Sequence, residues 1–111
     1  MTVDEAVQGD VVVFRLTGEI DVKSAPLIKQ RLEERGAAPR PRAVVTLDGL
    51  RYIDSAGLGV LVGALKAYAA RGGKLVLAAP RPEVRHILQI TRLIQHFEIH
   101  GTEADAIKAL A

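Results

Sequence analysis

The chain has no cysteine and no tryptophan. The missing thiols exclude a disulfide framework, a thiol nucleophile and a thiolate metal site. Aromatic residues number four, Phe14, Tyr52, Tyr68 and Phe97, too few for a platform on which single-stranded nucleic acid would stack. No apolar run approaches the roughly 18 residues that cross a bilayer as a helix. The opening MTVDEAVQGD is polar and acidic, unlike a signal peptide, so a cytoplasmic protein without membrane contact is expected. Charge of one sign is scarce too: 15 Lys and Arg face 13 Asp and Glu, for a net +2. The only basic cluster is RGAAPRPR, Arg35 to Arg42, a Pro-rich loop, and direct nucleic-acid binding is not expected.

What is present fits one globular domain spanning 1–111, with 49% hydrophobic and 25% charged residues. Val3 to Val7 and Val11 to Leu16, joined by Gly9-Asp10, read as a hairpin. Ser24 is placed to cap a helix running to Arg35, with Leu27, Ile28 and Leu32 inward and Gly36 as its stop. Ala43 to Leu47 is a short buried strand ending in the turn Asp48-Gly49. A second helix, about Ala56 to Arg71, buries Leu58, Leu61, Leu65 and Tyr68. Lys74 to Ala78 is the next strand. Pro82 opens a third helix with Val84, Ile87, Leu88 and Thr91 inward. His96 to Ile99 reads as a last edge strand, and Thr102 caps a final helix with Asp105 three residues on. Strands alternating with helices predict an α/β fold: a mixed, mostly parallel sheet of four to five strands, an N-terminal hairpin and about four helices.

The chain is organised around RYIDSAGLGVLVGAL, Arg51 to Leu65. There the strand closes onto a helix N-terminus, with Asp54 and Ser55 at the junction. Ser55 has two readings. It caps the helix, accepting a bond from an orphan N–H, or it accepts a phosphate where the helix dipole favours an anion. Consecutive parallel strands end on one edge of the sheet, so Glu19, Asp21, Asp48, Asp54 and Ser55 are expected along one rim, either as an acidic lip or as plain loop-forming acids.

Other chemistry finds no support. Gly57-Leu58-Gly59 is a fragment of a dinucleotide fingerprint, and the lysine of a Walker loop is absent. His96 and His100 flank a strand-like segment and no HExxH occurs, so no metal or other cofactor is expected. G-x-S-x-G is absent and no histidine lies near Ser55 in sequence, so no catalytic residues and no enzyme activity are expected.

The junction IDSAGLGVLV, with LTGEID (Leu16 to Asp21), VTLDGLRYIDSAGLGVLV (Val45 to Val62) and GGKLVLAAPRPEVRHILQITRL (Gly72 to Leu93), resembles the STAS domains in their branch of anti-sigma factor antagonists. The match covers nearly the whole chain. It implies that Ser55 is phosphorylated by a cognate serine kinase that is itself the anti-sigma factor. It implies further that Asp21 belongs to the kinase-binding surface with Asp54, Ser55, Gly57, Leu58 and Gly59. Ala56 departs from the pattern, where many members carry a second Ser or Thr. The expected action is partner switching: the unmodified protein, a monomer, captures the kinase and frees a sigma factor, and a serine phosphatase is a further partner. The alternative is a STAS subunit of a transporter or stress-signalling assembly.

Overall fold

Along the longest strand the inward apolar residues are Val45, Leu47, Leu50 and Ile53, all at most 1% exposed. Their spacing is two, then three, then three, and a regular strand alternates every two residues. The computed structural model describes residues 1–111 and shows how the spacing is met. β2 (Val11–Ile20) and β3 (Arg42–Ile53) pair in parallel, and β3 carries one extra residue at each of two register shifts. The first separates Arg15↔Thr46 from Thr17↔Gly49, and the second separates Gly18↔Leu50 from Glu19↔Tyr52. Each bulge turns the next apolar side chain back to the same face. The strand therefore does not stop at Asp48-Gly49, as expected, but absorbs that pair and runs on to Ile53.

β1 (Thr2–Gln8) forms the antiparallel hairpin with β2, while β4 (Lys74–Ala78) and β5 (Ile99–His100) extend the parallel part in the order β1-β2-β3-β4-β5. The last strand is shorter and later than His96 to Ile99, because Leu93–Gln95 form a single 3₁₀ turn before it. Helices α1 (Ala25–Gly36), α2 (Ser55–Ala70) and α3 (Pro82–Ile90) cover one face of the sheet. There Ile28, Leu32, Leu58, Leu61, Tyr68, Val84 and Leu88 pack on Phe14, Val45 and Leu77. α4 (Glu103–Leu110) covers the other face through Ala106 and Leu110, against Val13, Val44 and Val76. Thr102 caps it, accepting from Asp105 N at 3.1 Å, as its spacing predicts. Glu103 then reaches across the sheet, holding Arg15 at 2.9 Å and Thr46 Oγ1 at 2.8 Å.

Three helix details differ from expectation. Leu27 is 46% exposed rather than inward. Thr91 is exposed, and its hydroxyl donates to the Ile87 carbonyl at 2.7 Å. Gly36 ends α1 not by a left-handed turn but by letting Tyr68 lie close, since a Cβ there would sit 2.6 Å from the Tyr68 ring. The Tyr68 hydroxyl donates to the Leu32 carbonyl at 2.8 Å, which ties α2 to α1. No helix is long and apolar enough to cross a membrane.

Candidate functional site

The two central strands end side by side, Ile20 opposite Ile53, and Asp54 N donates to the Ile20 carbonyl at 3.1 Å. This bond brings the segments that leave β2 and β3, Asp21 and Asp54-Ser55, onto one edge. α2 starts there because Asp54, in an extended conformation, caps it: its carboxylate accepts from Gly57 N at 3.0 Å. Leu58 N closes the first helical bond to the Asp54 carbonyl at 2.9 Å. The N–H groups of Ser55 and Ala56 have no backbone partner.

Ser55 is thus the first helical residue and not the cap, which corrects one of the two readings. A cap needs extended dihedrals and a side chain that turns back over the first turn. Asp54 already meets both needs. The Ser55 hydroxyl is exposed and takes part in no hydrogen bond of the chain.

Asp21 does structural work. Its Oδ1 accepts from Lys23 N at 2.9 Å and from Ser24 N at 3.0 Å, and Asp21 N donates to Ser24 Oγ at 3.0 Å. These bonds fold the entry into α1, so Ser24 serves the turn and not the helix cap expected of it. The bond from Ser24 N, with that from Lys23 N, holds the Asp21 carboxyl below its ordinary pKa. Glu19 is exposed near the end of β2, beside Tyr52 on β3. Asp48 is not on this edge: it lies inside β3, where its charge acts on Arg15.

The glycines and leucine of the junction divide. Gly57 is buried against Ile20 and Ile53, and Leu58 is 8% exposed within the main core. Neither presents a side chain to a partner; they seat the helix. Gly59 is exposed, one turn beyond Ser55 on the same face. The exposed large apolar side chains on the segments that meet here are instead Val22, Leu27 and Tyr52, at 69%, 46% and 46%. Sequence reasoning missed them. Val22 sits in a loop, Leu27 fits an inward helical spacing, and Tyr52 points outward only because of the second bulge. A groove of about 520 Å³ between α1 and α2 opens beside Gly59 and is floored by Gly59, Val60, Gly63 and Ala67.

A five-stranded mixed sheet that presents a serine at the first turn of its second helix defines a class. Residues 2–106 match the profile described as STAS domain, and the chain belongs to that family. Among its relatives is the anti-sigma-B factor antagonist of Bacillus subtilis, 34% identical over 96 residues that make up 84% of each chain. The crystal structure of an anti-sigma factor antagonist from Mycobacterium paratuberculosis superposes with a TM-score of 0.88 at 27% identity, over 98% of this chain and 92% of that one. The anti-sigma factor antagonist SpoIIAA in its unphosphorylated form gives 0.80 at 26% identity, over 97% and 95%. The Bacillus cell fate determinant SpoIIAA in the phosphorylated form gives 0.74 at 25%, over 99% and 100%.

Proposed function

We propose that this protein is an anti-sigma factor antagonist whose binding to an anti-sigma serine kinase is switched by phosphorylation of Ser55. One observation carries the reading: the Ser55 hydroxyl is exposed and uncommitted at the start of α2, while Asp54 alone holds the cap. A kinase therefore reaches the hydroxyl without undoing the helix. A relative solved in phosphorylated and unphosphorylated forms supports a modification of this kind.

The switch acts on binding and leaves the fold intact. A phosphate at the first helical residue lies where the dipole favours it by about 0.3–1 kcal/mol. It adds a charge of about −1.5 to −2 beside Asp54 and on the edge that carries Asp21. Val22, Leu27 and Tyr52 are exposed apolar side chains on the segments that leave β2, start α1 and end β3, and a partner that covers them together with the start of α2 buries the hydroxyl too. With phosphate present, the same contact forces like charges into a desolvated interface, which costs several kcal/mol. At about 1.4 kcal/mol per tenfold, occupancy falls by orders of magnitude. The partner frees its sigma factor only while Ser55 is unmodified. Kinase and phosphatase activities reside in partners, and this chain acts by binding.

The test is to incubate the protein with ATP and a cognate anti-sigma serine kinase, then locate the phosphate by mass spectrometry. Label at Ser55, none in Ser55→Ala, and binding by Ser55→Asp weaker by at least about 100-fold are expected. Tyr52→Ala weakens binding without changing stability. Label persisting in Ser55→Ala refutes the assignment.

A further inference from the structure

At the end of the sheet opposite Ser55, the loop from Ala37 to Pro41 leads into β3 and walls a polar pocket of about 430 Å³, a volume suited to a small molecule. Arg35, Arg40 and Arg42 line it together with Asp10. The loop is pinned from the α2–β4 side. Arg71 donates to the Ala37 carbonyl at 2.7 Å and the Ala38 carbonyl at 3.3 Å, Arg40 N donates to the Arg71 carbonyl at 3.3 Å, and Lys74 N donates to the Pro41 carbonyl at 2.8 Å. Gly73 packs on Pro41 with no room for a Cβ.

Within this rigid loop Arg40 stands between two prolines at φ 50°, a left-handed conformation that glycine adopts without strain and that a residue before proline avoids. Strain held at a non-glycine residue points to a use for its side chain. The Arg40 guanidinium forms no ion pair or hydrogen bond within the chain. Arg42 turns to the α4 face and gives an N–H to the Leu110 carbonyl at 3.1 Å, and Arg35 is held by Glu5 at 2.9 Å, so Arg40 is the free guanidinium of the pocket. Asp10 has no ion-pair partner although three arginines share its pocket.

We propose that this pocket binds a phosphorylated polyol, with Arg40 on the phosphate oxygens and Asp10 accepting from a hydroxyl. Guanidinium forks match phosphate bidentately. The carboxylate of Asp10 repels a second anionic group, which limits the ligand to one charged end and one hydroxylated end. The site is preformed, so little ordering opposes binding. It lies on the far edge from Ser55 and stands or falls independently of the switch.

The experiment is an amide NMR titration with ribose 5-phosphate, inorganic phosphate and sulfate, plus sedimentation with phosphatidylglycerol vesicles. Saturable shifts confined to the amides of Asp10, Ala38, Arg40 and Arg42, at about millimolar ligand or below, are expected from ribose 5-phosphate. Arg40→Gly preserves the backbone and removes the guanidinium, and should weaken binding by about tenfold or more. Asp10→Ala should erase the preference for ribose 5-phosphate over inorganic phosphate, and Ser55→Ala should change nothing. Vesicle binding that Arg40→Gly abolishes identifies the ligand as a headgroup of the same chemistry. No saturable shift together with no vesicle binding, equal response to sulfate and ribose 5-phosphate, or unchanged binding by Arg40→Gly overturns the proposal.

Discussion

Gly57→Ala adds one methyl group that has nowhere to go. A Cβ there stands 2.6 Å from Ile20 Cγ2, 2.7 Å from Ile53 Cγ1 and 3.0 Å from Ile20 Cβ. Both isoleucines are at most 1% exposed at the ends of β2 and β3, so neither side chain has free space to enter. Overpacking of this kind costs about 1–3 kcal/mol, and three short contacts place it at the upper end, about 3 kcal/mol. Alanine returns about 1 kcal/mol through its helix propensity, leaving a net loss of about 2 kcal/mol. Gly59→Ala, two residues on, meets nothing within 4 Å and collects the propensity alone, a gain of about 1 kcal/mol. The two substitutions are chemically identical and opposite in sign. For a chain of this length each kcal/mol moves Tm by about 4 °C, so Gly57→Ala should lower it by about 8 °C and Gly59→Ala raise it by about 4 °C. Differential scanning calorimetry reads both, and guanidinium unfolding separates stability from cooperativity through the m-value. Equal stability of Gly57→Ala and the parent, or shifts of the same sign, would show that α2 is not seated on the two strand ends. The geometry that presents Ser55 would then fail with it.

Tyr68 is buried, and desolvation, with the Glu5 charge second, lifts its hydroxyl to about 12 from 10.0. The folded state therefore binds the proton more tightly, and the stability this adds is complete below pH 10 and lost as pH rises towards 12. In a Tyr52→Phe background the phenolate absorbance should appear only near pH 12 or on unfolding, and Tyr68→Phe should cost about 1 kcal/mol by urea denaturation through loss of the bond to Leu32. Glu103 and Glu98 are held below 4.5, chiefly by hydrogen bonds from Arg15 and from Lys74. The unfolded chain binds more protons, so their contribution is complete above pH 4.5 and lost as pH falls through the folded values. Urea midpoints should drop below that pH, and Glu103→Gln should flatten the drop; an unchanged acid limb would contradict this account. Asp54→Ala removes the side-chain cap of α2 and should cost about 1 kcal/mol, measured the same way, whereas Ser55→Ala should leave the urea midpoint unchanged.

Much of the fold was legible in the chain because its signals are short-range. Hydrophobic runs bounded by Gly-Asp, Pro and Gly-Gly set out strands and helices in order. The Thr102–Asp105 spacing marked a cap that forms as read, and Asp54 and Ser55 marked a strand-to-helix junction that the fold does form. The errors share one cause. Asp48-Gly49 looks like a turn locally, and only pairing with β2 makes it a bulge. Leu27 and Leu58 are equally apolar and fit the same helical period, yet one faces solvent and the other the core, because the crossing of α1 and α2 over the sheet selects which side is covered. Ser24 and Ser55 are both acceptable caps, but Asp54 takes the cap of α2, and Asp21 draws Ser24 into the turn before α1, which is left without a side-chain cap. Arg40 carries no sequence signal at all; its strain exists only because Arg71, Gly73 and Lys74, thirty residues on, pin the loop. Local pattern thus specifies which elements form and in what order. Which side chains face out at the end of β3, and with what partners, follows from contacts between segments far apart in the chain, since burial and hydrogen-bond competition are settled only when those segments meet.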